Sequence, residues 1–138
     1  MDPKSQKLIA RLAMIDLVLV GPMAIPPVAL LVLSIFGELD AMIGLESPLG
    51  MMTPLGLIFM NIVGILAAVW SIIRIRETSR LNTLLDTIAR IGVALILLYG
   101  VSQIGLSLMF GLFLVTEIGG AALQAMALMR DKQAVAHA

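Results

Sequence analysis

Four polar side chains stand within otherwise apolar stretches of this 138-residue chain: Asp16, Asn61, Arg90 and Glu117. Carboxylate, amide and guanidinium groups can carry a proton, hold the polar end of a ligand, or pair with one another. They are costly to bury in apolar surroundings unless they find partners. Each is therefore a candidate functional residue, and its chemistry depends on the helices that position it.

The position of each polar residue within its apolar stretch predicts two pairs. Asp16 and Arg90 lie a few residues inside the same boundary, whereas Asn61 and Glu117 both lie near the middle. For Arg90 we prefer an alternative, in which it pairs with Asp86 one helical turn earlier and extends its long side chain to the headgroups. A cross-helix pair with Asp16 remains open, because Asp16 has no basic residue within a turn on its own helix.

Helical spacing predicts that Glu117 faces inward. The positions three, four and seven residues beyond it are small or carry an amide: Gly120, Ala121 and Gln124. Gly64 and Ala68 share a face with Asn61, and small residues mark close helix contacts in membranes. We therefore expect the fourth apolar segment to pack against the second, with Glu117 hydrogen-bonded to Asn61. This pair either holds the helices together, which we prefer, or Glu117 exchanges a proton or binds a ligand headgroup.

Composition and hydropathy predict an integral membrane protein. Hydrophobic residues make up 60% of the chain, charged residues only 13%, and the mean hydropathy is +1.07. Because a span needs about 20 apolar residues, we expect four spans at about 12–36, 51–73, 84–103 and 106–129. They form a single transmembrane domain, 1–138, with a short polar tail, 130–138. The expected fold class is all-α, a membrane four-helix bundle.

The distribution of lysine and arginine predicts the orientation of the bundle. Basic residues flank one end of the spans only: Lys4, Lys7, Arg11, Arg74, Arg76, Arg80, Arg130 and Lys132. By the positive-inside rule, both termini and the middle loop are cytoplasmic, and the acidic loop with Glu38, Asp40 and Glu46 faces outward. We expect a multi-pass protein of a bacterial inner membrane. Gly105 is the predicted turn of a hairpin between the last two spans, and Trp70 and Tyr99 are expected at opposite membrane interfaces.

Three prolines interrupt the first span: Pro22, Pro26 and Pro27. Proline removes a backbone donor and disfavours helical angles in the preceding residue. We therefore predict a broken helix near residues 25–27. The freed carbonyl groups must be satisfied inside a membrane. Side chains of a neighbouring helix can do this, which we prefer, or the break can line a binding site as in transporters.

The residue types that are scarce or missing exclude several functions. The chain has no cysteine, which excludes thiol chemistry, and its only histidine is His137. Ten methionines suggest copper, but methionine also fills gaps between helices, and we expect no metal and no cofactor. The formal net charge of zero gives no indication of nucleic-acid binding. An enzyme with Asp16 or Glu117 as acid or base would lack a second catalytic group, so enzymatic activity is not favoured.

Four short spans with a broken first helix and a tight last hairpin resemble the small bacterial membrane proteins of the DoxX-like type. The stretches that carry the resemblance are GPMAIPP at 21–27 and RLNTLLDTIARIG at 80–92. The resemblance implies a role as a membrane subunit of an oxidoreductase system. It transfers no site residue to this chain.

Two functions remain. The first, which we prefer, is a non-enzymatic accessory or scaffold subunit that contacts membrane lipids and either other membrane subunits or a second copy of itself. The alternative is a binder or transporter of a small lipophilic molecule (a quinone, isoprenoid or lipid) in a pocket at the broken first helix. The candidate ligand-binding residues are Asp16, Pro22, Pro26, Pro27, Asn61, Arg90, Glu117 and Gln124.

Overall fold

The computed structural model describes residues 1–45 and 53–136, with side chains as far as residue 132. Within these ranges the protein is all-helical and contains no strand, as predicted. The helices are α1 (Pro3–Val20), α2 (Pro26–Met42), α3 (Pro54–Arg76), α4 (Arg80–Tyr99) and α5 (Phe110–Ala136). A 3₁₀ turn (Gly21–Ala24) joins α1 to α2, and a π-helical turn (Gly100–Ile104) follows α4.

Three of the helices are long and apolar enough to cross a membrane: α3, α4 with its π-helical turn, and α5. α1 and α2 pass the same test as a bent pair, which makes a fourth span if the pair is counted as one. Large apolar side chains on these helices are exposed, including Ile96 and Val115. Such a broad apolar surface suits a helix that contacts lipid.

The helix predicted for the first apolar stretch is broken at its prolines, as expected. Ile25 has extended backbone angles, φ −104° and ψ 111°, and Pro26 and Pro27 then begin α2. Proline is favoured at the start of a helix because its missing N–H would have no partner there anyway. The axis of α2 turns 104° away from that of the preceding segment. α2 therefore does not continue the path of α1.

The helices pack as two antiparallel pairs. In the first pair, α1 and the 3₁₀ turn lie against α3, and contacts run in opposite directions along the two helices. In the second, α5 packs against α4, and the predicted hairpin turn occurs at Gly105, whose φ of +75° favours glycine. The predicted packing of the last helix against α3 is wrong, because the short link makes α4 its neighbour. α3 and α4 are not in close backbone contact along their lengths.

The helix ends differ from the predicted boundaries. α5 continues to Ala136, so the predicted polar tail, 130–138, is helical as far as this residue. Asp131 is buried and accepts a hydrogen bond from the backbone N–H of Asp2 at 3.1 Å, which fastens this part of α5 to the start of α1. Glu38 and Asp40, predicted in the acidic loop, belong instead to α2, which continues to Met42, and Asp40 is buried. Glu46, the predicted start of the second span at Met51, and His137 lie outside the described residues.

Candidate functional site

An elongated cavity of about 340 Å³ lies between the two helix pairs. One face each of α3 and α4 forms its long walls, and α2 contributes Leu33 and Phe36. The residues of α4 that line the cavity run from Asp86 to Leu97, which is about 16 Å of helix. The cavity is therefore long enough for an extended apolar chain.

Most of the cavity wall is apolar, and four aromatic side chains contribute to it: Phe36, Trp70, Phe110 and Phe113. Phe36 of α2 packs edge-on against Phe110 of α5, with ring centroids 5.8 Å apart, and lies 6.1 Å from Phe113. The bent α2 is thus held against the start of α5 by aromatic contacts. These contacts give the cavity an aromatic wall.

Charged residues gather at one end of the cavity and form a closed ring of ion pairs. Arg74 of α3 contacts Asp16 of α1 at 2.6 Å and Asp86 of α4 at 2.5 Å. Arg90 of α4 contacts the same two carboxylates, Asp16 through Nη2 and Asp86 through Nε at 3.1 Å. Two guanidinium groups and two carboxylates therefore compensate one another where water is largely excluded.

Asp86 has more polar partners than any other member of this cluster. Besides the two arginines, it accepts hydrogen bonds from the indole N–H of Trp70 at 2.7 Å and from Nε2 of Gln124 at 2.5 Å. Thr87 donates to the amide oxygen of Gln124 at 3.0 Å. Asp86 is only 4% exposed, so these bonds replace the water that a buried carboxylate loses.

Glu117 joins the cluster through a single contact, in which Nη1 of Arg90 lies 3.2 Å from its Oε2. The other oxygen, Oε1, receives no hydrogen bond from a described residue. Gly120, one turn further along α5, makes room for the guanidinium, because a Cβ built there would lie 2.7 Å from Nη1 of Arg90. One donor is also unmatched: Nε of Arg74 is buried and has no described acceptor.

Arg90 forms both of the predicted pairs, one with Asp86 and one with Asp16. It contacts Asp86 on its own helix and Asp16 across the bundle, and it is only 5% exposed. The guanidinium is therefore turned into the cluster, and the preferred extension towards the headgroups is wrong. The carboxylates of three helices offer closer partners than the headgroups do.

The predicted pair between Asn61 and Glu117 is wrong. Asn61 donates from Nδ2 to the backbone carbonyl of Met23 at 2.7 Å, so it satisfies one of the carbonyls that the prolines free. Gly64 allows this approach, because a Cβ there would lie 2.2 Å from the backbone nitrogen of Ala24. The small-residue face of α3 was correctly inferred, but it packs against the broken helix and not against α5.

The remaining candidate residues fall into two groups. Asp16, Arg90 and Glu117 line the cavity, while Gln124 supports Asp86 from a fully buried position. Asn61 and the three prolines lie at the break and do not line the cavity, and Pro26 and Pro27 are exposed. The cavity nevertheless reaches the break through Val20 and Met23.

Sequence reasoning did not identify Arg74 and Trp70 as site residues and considered Asp86 only as a partner of Arg90. Arg74 was counted among the flanking basic residues, but it is 2% exposed and lies inside the cluster. Trp70, expected at a membrane interface, lines the cavity and donates to Asp86. One signal was available: Arg74 and Asp86 carry opposite charges on either side of a link of three residues, 77–79, which keeps the two helix ends together.

The fold and the site define a helical protein whose helices can cross a membrane and line an apolar cavity that ends in a charged cluster. Comparison of the chain with protein-family models, curated proteins and solved structures finds no match. The resemblance to DoxX-like proteins therefore stays a prediction, as does the expected absence of a cofactor or metal.

Proposed function

We propose that this protein binds or transports a small lipophilic molecule with a polar headgroup, such as a quinone, isoprenoid or lipid. The observation that carries this proposal is the cavity of about 340 Å³, with apolar walls and a charged cluster at one end. Small-molecule sites have volumes of about 300–1,000 Å³ and combine apolar walls with a few polar groups. An amphiphile would place its chain along α3 and α4 and its headgroup near Glu117.

The unmatched atoms of the cluster support a polar headgroup. Oε1 of Glu117 can accept a hydrogen bond, and Nε of Arg74 can donate one. Both residues line the cavity. A polar or charged headgroup at this end of the cavity would give Oε1 of Glu117 a partner, and buried polar groups gain from such partners.

The accessory or scaffold subunit is the second candidate. A groove of about 260 Å³ on the α4–α5 pair supports it, because this groove is lined by Ile91, Ala94, Leu98 and Ala121. Small and apolar residues of this kind allow another helix to pack closely in a membrane. The partner would be another membrane subunit or a second copy of this chain, with membrane lipids around both.

We further propose a four-span bundle in a bacterial inner membrane, with both termini in the cytoplasm. The distribution of basic residues supports this orientation. The hydrogen bond between Asp2 and Asp131 supports it too, because it places the start of α1 and the end of α5 on the same side of the bundle. In this arrangement the α1–α2 pair counts as one broken span.

Filling the cavity tests the proposed function. Ala67 lines the cavity, whereas Ala122 is exposed on α5. We expect native mass spectrometry of the gently extracted protein to show one reproducible lipophilic mass. Ala67→Phe should lose this mass because the ring occupies the cavity, and the matched control Ala122→Phe should keep it.

Either of two results would overturn the binding proposal: the wild-type protein carries no small molecule, or Ala67→Phe retains it fully. If other polypeptides accompany the wild-type protein in a fixed ratio and no small molecule is present, the scaffold candidate replaces it. A lipophilic mass that both alanine variants lose equally would also contradict binding in the cavity, because Ala122 lies outside it.

A further inference from the structure

The charged cluster at the end of the cavity has an odd number of charges. Its carboxylates are Asp16, Asp86 and Glu117, and its guanidinium groups are those of Arg74 and Arg90. Among the described residues, no other charged side chain lines the cavity. When all five groups are ionised, the cluster carries a net charge of −1. An uncompensated charge in apolar surroundings is unfavourable, so the cluster favours neutralisation by a proton or by a positively charged ligand.

Glu117 is the carboxylate without a full partner. Asp16 and Asp86 are each contacted by both arginines, so these four groups form a neutral ring. Glu117 contacts only Arg90, at 3.2 Å, and Arg90 is already shared between the other two carboxylates. The side chain of Glu117 is 18% exposed and lines both the cavity and the groove on the α4–α5 pair.

The surroundings of Glu117 suit a cation with an apolar body. Phe113 lies one helical turn before Glu117 on α5, and both line the cavity. Phe110 and Phe36 extend this aromatic wall. The faces of aromatic rings attract ammonium groups, and this attraction increases where water is excluded. An alkyl chain attached to the cation would then lie along the apolar walls of α3 and α4.

We propose that the headgroup accepted by this cavity is a cation, an amine or quaternary ammonium on a lipophilic body, and that Glu117 is its counter-ion. This inference rests on the proposed binding function and specifies its ligand class. The juxtaposition of one surplus carboxylate, an aromatic wall and an elongated apolar cavity carries it. A neutral lipophile would leave the net negative charge of the cluster uncompensated.

The sole tryptophan provides the readout for a test. Trp70 lines the cavity and donates to Asp86, so its fluorescence should respond when a ligand enters. We would titrate the protein in phosphatidylcholine nanodiscs with decyltrimethylammonium, decanol and decyl sulfate, which share one chain length. The cation should give a saturable response at the lowest concentration, and decyl sulfate should bind most weakly.

Variants of Glu117 separate its charge from its role in packing. Glu117→Gln should weaken binding of decyltrimethylammonium by roughly tenfold or more and leave decanol binding unchanged. Glu117→Asp keeps the carboxylate and should keep the preference for the cation. Glu38→Gln is the matched control, because Glu38 is exposed on α2 and does not line the cavity. Circular dichroism of each variant verifies that it is folded.

The cation proposal is overturned if wild-type protein binds decanol as tightly as the cation, or if Glu117→Gln binds the cation undiminished. It is also overturned if Glu117→Asp loses the preference completely while remaining folded. These results leave the proposed function intact, provided that Ala67→Phe still blocks the binding of decanol. If no probe gives a saturable response and Ala67→Phe changes nothing, the proposed function itself fails.

Discussion

Arg90 occupies an otherwise apolar part of α4, and its guanidinium contacts three carboxylates that belong to three different helices. Burying a charge costs free energy, and only close pairing with further hydrogen bonds offsets that cost. Arg90 therefore constrains how α1, α4 and α5 are placed around it. The same contacts bring Glu117 to the cavity, so one residue connects the packing of the bundle with its candidate site.

Two adjacent glycines of α5 test how closely this arginine is confined. We expect Gly120→Ala to destabilise the folded protein by about 1 kcal/mol, because the new Cβ would lie 2.7 Å from Nη1 of Arg90 and displace the guanidinium. Gly119→Ala is the control, since a Cβ at Gly119 meets nothing within 4 Å. Thermal unfolding in detergent compares the two variants. Equal melting temperatures would show that Arg90 moves aside without cost.

Three of the charged residues that line the cavity could be predicted from the sequence alone. Asp16, Arg90 and Glu117 were recognised from the sequence because an ionisable group in an apolar stretch is unusual, and all three line the cavity. Arg74 was missed because it lies among basic residues at a helix end, where a solvated arginine is the ordinary case. Its contacts with Asp16 and Asp86 come from α1 and α4, which no local pattern reveals.

At the scale of elements, the broken first helix depends on α3. Ile25 breaks the helical path, the carbonyl of Met23 is satisfied by Asn61, and Gly64 lets the two backbones approach. An unsatisfied carbonyl group in a membrane would destabilise the folded protein by roughly several kcal/mol. The prolines thus determine that the helix breaks, and the polar and small residues of α3 determine where the broken segment rests.

Glycine-to-alanine substitutions in two helices test this dependence. We expect Gly64→Ala to destabilise the protein by about 3 kcal/mol, because a Cβ 2.2 Å from the nitrogen of Ala24 forces the backbone to shift. Gly92→Ala in α4 should be neutral or slightly stabilising, since it meets nothing within 4 Å and alanine favours a helix. Thermal unfolding followed by circular dichroism measures both. A Gly64→Ala protein as stable as wild type would contradict the close approach.

At the scale of the whole molecule, the cavity follows from the way the helices pair. α1 with α3 and α4 with α5 are closely packed, whereas α3 and α4 are not. α2 turns by 104° and places Phe36 against α5. The bent helix therefore covers part of the space between the pairs without filling it.

The absence of cysteine from the sequence makes the topology directly measurable. Single cysteines can replace Lys7 on α1 and Met42 at the end of α2, both of which are exposed. In intact spheroplasts, a membrane-impermeant maleimide should label Met42→Cys, and Lys7→Cys should react only after lysis. This pattern follows if α1 and α2 together cross the membrane. Protection of both cysteines until lysis would instead indicate three spans and a re-entrant α1–α2 pair.

The sequence by itself determined the features that arise from neighbouring residues. Apolar runs define the helices, the pair Pro26–Pro27 forces the break, and Gly105 supplies the positive φ of the last turn. These features follow from hydropathy and backbone sterics, which act within a few residues. They were therefore open to prediction without knowledge of the helix packing.

Only the tertiary structure decided which polar groups meet. Asn61 joins the broken helix and not Glu117, and Arg74 turns into a cluster with Asp86. The rotation of each helix about its axis and its choice of neighbour depend on how small residues such as Gly64 and Gly120 let helices and side chains approach. Because these contacts join residues far apart in the chain, a single sequence shows which polar groups are present but not which of them are in contact.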